Sequence, residues 1–182
     1  MELSAKRLEL IRSLVSRLSR VAVLLNGDNA LSAPSLKSAQ AVAPGLGLMI
    51  FPVDVRDDAG IEPAFARMVK EKAGAVMVVN DSWFHSRPRV LAGMALKYRL
   101  PTIYPYREYV EAGGLINYGQ NLSETYRRSA GHVDRILKGA KPGDLPIEQP
   151  TLIHMAINRK TAKILGLNLP QDILLRADEV IE

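Results

Sequence analysis

Asn80, Asp81 and Ser82 follow directly on Ala75 to Val79, five small or branched apolar residues in a row, and Trp83 and Phe84 come next. A short run that apolar reads as a strand buried on both faces, as in a parallel sheet. In open α/β sheets, ligands bind in the crevice beyond the carboxyl ends of the strands. The order of residues therefore puts an acid, an amide, a hydroxyl and two aromatic rings where such a sheet would bind something. Asp81 can hold an ammonium group through charge-assisted hydrogen bonds. Trp83 and Phe84 can wall an apolar or aromatic side chain, with ring contacts worth about 0.5–1.5 kcal/mol beyond burial. Tyr104, Tyr106, Tyr109 and Tyr118 gather near the ends of two further short strands. The competing reading is that Trp83 and Phe84 open the packed face of the next helix and that the tyrosines are core plugs. From the residues alone the two readings weigh equally.

Other chemistries lack their residues. Gly45-Leu-Gly47 precedes a strand and has no third glycine, so it is not a dinucleotide fingerprint. Walker and Gly-x-Ser-x-Gly sequences are absent. His85, His132 and His154 have no second ligand at metal spacing. The chain has no cysteine, which excludes disulfides, thiolate metal sites and a cysteine nucleophile. Asp28 and Asp81 loosely suit a phospho-accepting acidic pocket, but adjacent acids and a late lysine are missing. No cofactor and no metal are expected, and the chain is not expected to be an enzyme.

The elements that must position these residues follow from periodicity. Residues 4–18 read as an amphipathic helix, with Leu8, Ile11, Leu14, Val15 and Leu18 on one face. Val21 to Leu25 read as a buried strand ending in the turn Asn26-Gly-Asp-Asn29. A helix to about Ala43 accommodates Pro34 in its first turn. Leu48 to Val53 form the next strand, and Pro52 places its end near a sheet edge. A helix over 61–72 buries Ile61, Phe65, Met68 and Val69. Another over 87–98 buries Val90, Leu91, Met94 and Tyr98. Residues 100–104 and 115–118 are short strands. A helix over 122–138 carries Leu122, Tyr126, Val133, Ile136 and Leu137 on one side. Residues 139–150 are a proline-rich connector. Residues 153–157 alternate as a strand, Asn158 caps a helix, and Pro170 to the end is helical or irregular. Alternating strand and helix over 20–104 predicts a parallel sheet flanked by helices, a Rossmann-like α/β fold.

At 182 residues the chain supports one domain with a substantial core. Net charge is +5, but the basic residues are scattered over helix exteriors, so no nucleic-acid partner is expected. No stretch approaches the roughly 20 apolar residues of a membrane span. The first residues are charged and amphipathic, unlike a signal peptide.

Leu3-Ser-Ala-Lys-Arg-Leu-Glu-Leu-Ile11, Val21-Ala-Val-Leu-Leu-Asn26, Leu100-Pro-Thr-Ile-Tyr-Pro105, Glu108-Tyr-Val-Glu-Ala-Gly-Gly-Leu115, Ile136-Leu-Lys-Gly-Ala-Lys-Pro-Gly-Asp-Leu-Pro146 and Ala177-Asp-Glu-Val-Ile181 follow in order. With Asn117-Tyr-Gly119 and Asn158-Arg-Lys-Thr-Ala162, this series resembles the substrate-binding proteins of a bacterial ABC uptake family whose characterised members bind tryptophan, tyrosine or phenylalanine. The resemblance implies the type I periplasmic-binding-protein fold, in which two Rossmann-like lobes close on a ligand. Family members carry a signal sequence and a first lobe before the segment matching Leu3. The resemblance therefore implies a C-terminal lobe, with residues 115–150 as elements returning to the other lobe. It also implies a homodimer through the apolar side of the 122–138 helix, and a non-catalytic component of an importer that binds an amino acid or aromatic solute. The partners would be that small solute and a membrane permease, and the compartment periplasmic. A shortened cytoplasmic ligand sensor or interaction module is the alternative. Carried over by position, Asn26 and Asp81 are polar contacts with Ser82 beside them, Trp83 and Phe84 are side-chain contacts, and Tyr104 and Tyr118 line the cleft. Leu25 and Asn80 stand where the family often has an aromatic residue and a proline, which leaves the ligand open.

Overall fold

The computed structural model describes residues 3–146 and 152–182. Helix α1 (Ser4–Leu14) leads into strand β1 (Arg20–Leu25), then α2 (Ser32–Val42), β2 (Met49–Asp54), α3 (Asp58–Lys70) and β3 (Ala75–Val78). Two helices follow, the single turn α4 (Ser82–His85) and α5 (Pro88–Lys97), and then β4 (Thr102–Tyr104), α6 (Arg107–Glu111), β5 (Ile116–Asn117) and β6 (Gly119–Gln120). The long helix α7 (Leu122–Leu137) precedes β7 (Ile153–His154), β8 (Ala156–Asn158), α8 (Arg159–Leu165), α9 (Gln171–Arg176) and β9 (Glu179–Ile181).

The main sheet has the order β2-β1-β3-β4-β5-β8-β9. Its first five strands are parallel neighbours, as the alternation of strand and helix predicts. The connection from β1 to β2 steps one way along the sheet and that from β2 to β3 steps back. Right-handed crossovers therefore place α2 and α3 on opposite faces. Val21, Ala22, Val23 and Ala75 to Val78 are buried between those layers, which is why their sequence is continuously apolar. Pro52 lies in β2, the edge strand, where a missing N–H costs no ladder bond on the open side.

Several expectations need correction. The first helix stops at Leu14 instead of reaching residue 18, because Val15 turns extended and Arg17 takes a left-handed φ of 57°. The strand expected over 115–118 breaks in two, and β6 leaves the main sheet to pair antiparallel with β7. The sheet is mixed, because β8 runs antiparallel to β5. The final segment contains a strand, β9, which pairs parallel with β8. Val69 and Val90, expected in the core, are exposed. Ala64 and Ala92 take inward positions on the same helices.

Helix α7 has no buried residue, and Tyr126, Val133, Ile136 and Leu137 are exposed along it. Asn121 caps its first turn by accepting from Glu124 N at 3.2 Å. Of the proline-rich connector, Pro142–Asp144 form a 3₁₀ turn, and 147–150 lie outside the described residues. Among the described residues no helix is long and apolar enough to cross a membrane.

Candidate functional site

Strands β1 and β3 are parallel neighbours in register from Val21 opposite Ala75 to Leu24 opposite Val78. Their carboxyl ends therefore deliver Asn26 and Asp81 to the same edge of the sheet. The Asp81 side chain is almost fully buried, at 4% exposure of the residue. Its Oδ1 accepts from Phe84 N at 2.8 Å and so caps α4. Its Oδ2 accepts from Asn29 Nδ2 at 2.8 Å and from Asn26 Nδ2 at 3.3 Å.

Both amides are oriented by their own turn. Asn26 Oδ1 accepts from Asp28 N at 3.0 Å, and Asn29 Oδ1 accepts from Leu31 N at 2.9 Å. With the oxygens engaged by backbone N–H groups, the NH₂ groups are left to face the carboxylate. Ser32 Oγ donates to Asn26 O at 2.6 Å and ties the turn to the start of α2. An ionised carboxylate offers about four acceptor positions, of which three are taken by neutral donors. Among the described residues no cation forms an ion pair with Asp81. A buried carboxylate held only by neutral groups is an energetically favourable position for an incoming ammonium.

Asn26, Asn29, Leu31, Asp81, Ser82 and Trp83 border a recess of about 460 Å³, with Asp28 and Asn80 completing its rim. A second recess of about 350 Å³ adjoins it, because Leu31 and Asn80 line both. Arg7, Ser35, Tyr106 and Gln120 line this second space. Tyr106 donates its hydroxyl to Asn80 Oδ1 at 2.8 Å and fixes the side chain between the two.

The structure thus gathers Asn26, Asp81, Ser82 and Trp83 at one recess. Phe84 and Tyr104 are fully buried in the core and border neither space. Tyr104 stacks on Tyr109, with ring centroids 4.7 Å apart and planes 12° from parallel. Burial pushes the phenols of both well above the ordinary tyrosine range. Tyr118 is half-buried and borders neither recess, and its carbonyl accepts from Arg7 Nε at 2.8 Å. Asn29 also borders the recess, and reading the sequence passed over it. Its signal was the Asn26-Gly-Asp-Asn29 cluster itself, in which a turn places two amides on one side. Asp28, weighed as a phospho-acceptor, instead pairs with Arg56 at 3.0 Å on the surface. Among the described residues no group of three His, Asp or Glu side chains can hold a metal ion.

A mostly parallel sheet flanked by helices, with a polar recess at its strand ends, is one lobe of a type I periplasmic-binding-protein fold. The family described as ABC transporter substrate binding protein matches residues 1–181, and the chain belongs to that family. A conserved domain protein from Vibrio cholerae O1 biovar El Tor is similar, at TM-score 0.88 and 21% identity over 99% of this chain and 60% of that one. An ABC domain from Streptococcus pneumonia, solved in complex with L-Trp, gives TM-score 0.88 and 24% identity over 98% of this chain and 60% of that one. A ligand-free, open substrate binding protein with adhesive properties from Clostridium difficile gives TM-score 0.71 and 18% identity, over 97% and 59%. The chain therefore spans about three fifths of the length of these solved structures. No curated protein matches it. The family and the fold are those of non-catalytic substrate-binding proteins.

Proposed function

We propose that the recess at the ends of β1 and β3 is the solute site of a substrate-binding component of an ABC-type importer. Its ligand is a small solute that carries an ammonium group, an amino acid or an aromatic amine. The observation that carries this reading is Asp81, a buried carboxylate surrounded by neutral donors with one acceptor position left. Asn26, Asp81 and Ser82 contact the polar end of the solute, and Trp83 its flat or apolar part. Phe84, Tyr104 and Tyr118 act from behind, by supporting the wall. The pneumococcal relative's complex with L-Trp supports this class of ligand.

In this reading the chain is the C-terminal lobe and supplies one wall of a cleft. The other wall comes from a further lobe, and the described residues 115–146 return toward it. The closed pair presents a surface to a membrane permease, in the periplasm. The exposed apolar stripe of α7 supports pairing with another copy of this chain where the further lobe does not cover it.

The test is thermal unfolding against L-phenylalanine, L-tryptophan and L-tyrosine, each beside its deaminated acid. A ligand at 100 times its Kd adds about 2.7 kcal/mol of stability. Selective stabilisation by the amine-bearing member of a pair supports the ammonium site. Equal response to both members, or response to neither, overturns it.

A further inference from the structure

Trp83 lines the recess, yet one face of its indole is already occupied. The Arg87 guanidinium carbon lies 4.2 Å from the centroid of that ring. Arg87 does not border the recess, so the face it covers is not the one turned to the ligand. The guanidinium is held from every side. Its Nε donates to Asp58 Oδ1 at 2.5 Å and its Nη2 to Asp58 Oδ2 at 3.4 Å. Its Nη1 donates to Trp83 O at 3.1 Å and to Ser86 Oγ at 2.7 Å. Asp58 belongs to the first turn of α3, so a helix on another part of the chain locks the cation over the ring. The indole also meets the buried ring of Phe84, with centroids 5.3 Å apart and planes tilted by 54°.

We infer that Arg87 is a positioning residue that fixes the orientation of the solute by holding a permanent positive charge behind Trp83. An exposed indole face attracts cations through its quadrupole. An ammonium-bearing solute would then have two competing seats, the Asp81 carboxylate and the Trp83 ring. A guanidinium cannot be deprotonated under ordinary conditions, so the ring it backs is always polarised toward it. The free face is thereby made less attractive to a second cation. It remains a flat apolar surface, open to a neutral planar group. The ammonium is left with Asp81, and the flat part of the solute lies on Trp83. The inference takes the recess as the solute site, but the arrangement it assigns to Arg87 and Trp83 can be tested without a solute.

Trp83 is the chain's only tryptophan, so intrinsic emission reports this ring alone. The experiment compares quenching of that emission by iodide and by caesium ions, in the wild type, R87Q and R87K. Asp58 pairs with Arg87 and Asp81 lies nearby, so the wild-type ratio of iodide to caesium quenching constants reflects all three charges and the readout is its change. R87Q removes the one cation and leaves two carboxylates, so the ratio should fall at least about twofold. R87K keeps the charge without the planar fork, and should hold the ratio near the wild-type value. An unchanged ratio in R87Q overturns the inference; where R87Q does not fold, D58N decides, since removing the exposed counter-ion must raise the ratio and an unchanged ratio overturns the inference. In folded R87Q, tetramethylammonium should begin to alter the emission that it leaves unchanged in the wild type. If no amino acid binds while the quenching ratio follows residue 87, the solute site is wrong: the cation behind Trp83 stands, and its role in orienting a solute falls with the site.

Discussion

The side-chain amide of Asn29 donates to Oδ2 of Asp81 at 2.8 Å, so the turn after β1 and the turn after β3 share one buried carboxylate. The same carboxylate caps α4 through Phe84 N. Charge and cap can be separated by mutation. Asp81→Asn keeps an oxygen to cap α4 but turns its own NH₂ toward the amides of Asn26 and Asn29, so it should cost about 1–3 kcal/mol while removing the anion. Its unfolding midpoint in urea should fall accordingly, and stabilisation by an amine-bearing solute should disappear. Asp81→Ala also removes the cap, and should cost about 1 kcal/mol more than Asp81→Asn. If Asp81→Asn binds an amine-bearing solute as the wild type does, Asp81 is a structural cap only.

Gly119 tests the join between the main sheet and the β6–β7 pair. A Cβ there would lie 1.9 Å from the carbonyl oxygen of Pro105. That neighbour is backbone and cannot rotate aside, so Gly119→Ala should cost about 3 kcal/mol or more. Gly93 offers the opposite case. It is exposed on α5, and a Cβ would meet nothing within 4 Å. Gly93→Ala should stabilise by up to about 1 kcal/mol through helix propensity. Chemical unfolding of the two variants beside wild type checks both signs.

Asn26 and Asp81 could be paired from sequence because two continuously apolar runs marked neighbouring buried strands, and parallel strands deliver their ends to one edge. The same continuity hid the facing of Tyr104. A strand buried on both sides has no polar alternation to say which way a ring points. Phe84 has that difficulty in a single turn of helix, where no periodicity can develop. β9 escaped because its three residues are all half-buried and its partner, β8, lies 21 residues earlier. Val69 and Val90 were assigned inward by spacing, but Ala64 and Ala92 face inward on the same helices. Small residues let those helices approach the sheet, and hydrophobicity alone ranks them too low.

The α7 stripe should matter for association and not for folding of the lobe. Val133 and Leu137 are 53% and 81% exposed. Changing both to Gln should therefore alter unfolding free energy by no more than about 0.5 kcal/mol per site. Light scattering should find a dimer for the wild type and a monomer for the double variant. A wild-type monomer at high concentration removes the pairing of copies from the proposed function.

Tyr109 carries a buried hydroxyl with no hydrogen-bond partner among the described residues. Its pKa is raised, first by burial and then by neighbouring Tyr104, Tyr106, Asp81 and Glu108. The unfolded chain releases the phenolic proton near pH 10, whereas the folded protein retains it to higher pH. Above that point the unfolded state binds fewer protons than the native one, so stability falls as pH rises. Below it, Tyr109 leaves stability independent of pH. Tyr109→Phe removes an unpaired polar atom and should be neutral or stabilising by about 1 kcal/mol at pH 7. It should also lose about 1.4 kcal/mol of the decline that wild type undergoes between pH 9 and 11. Urea unfolding of both proteins across that interval measures the difference. Parallel stability curves would mean that the Tyr109 phenol ionises as readily in the folded lobe as in the unfolded chain.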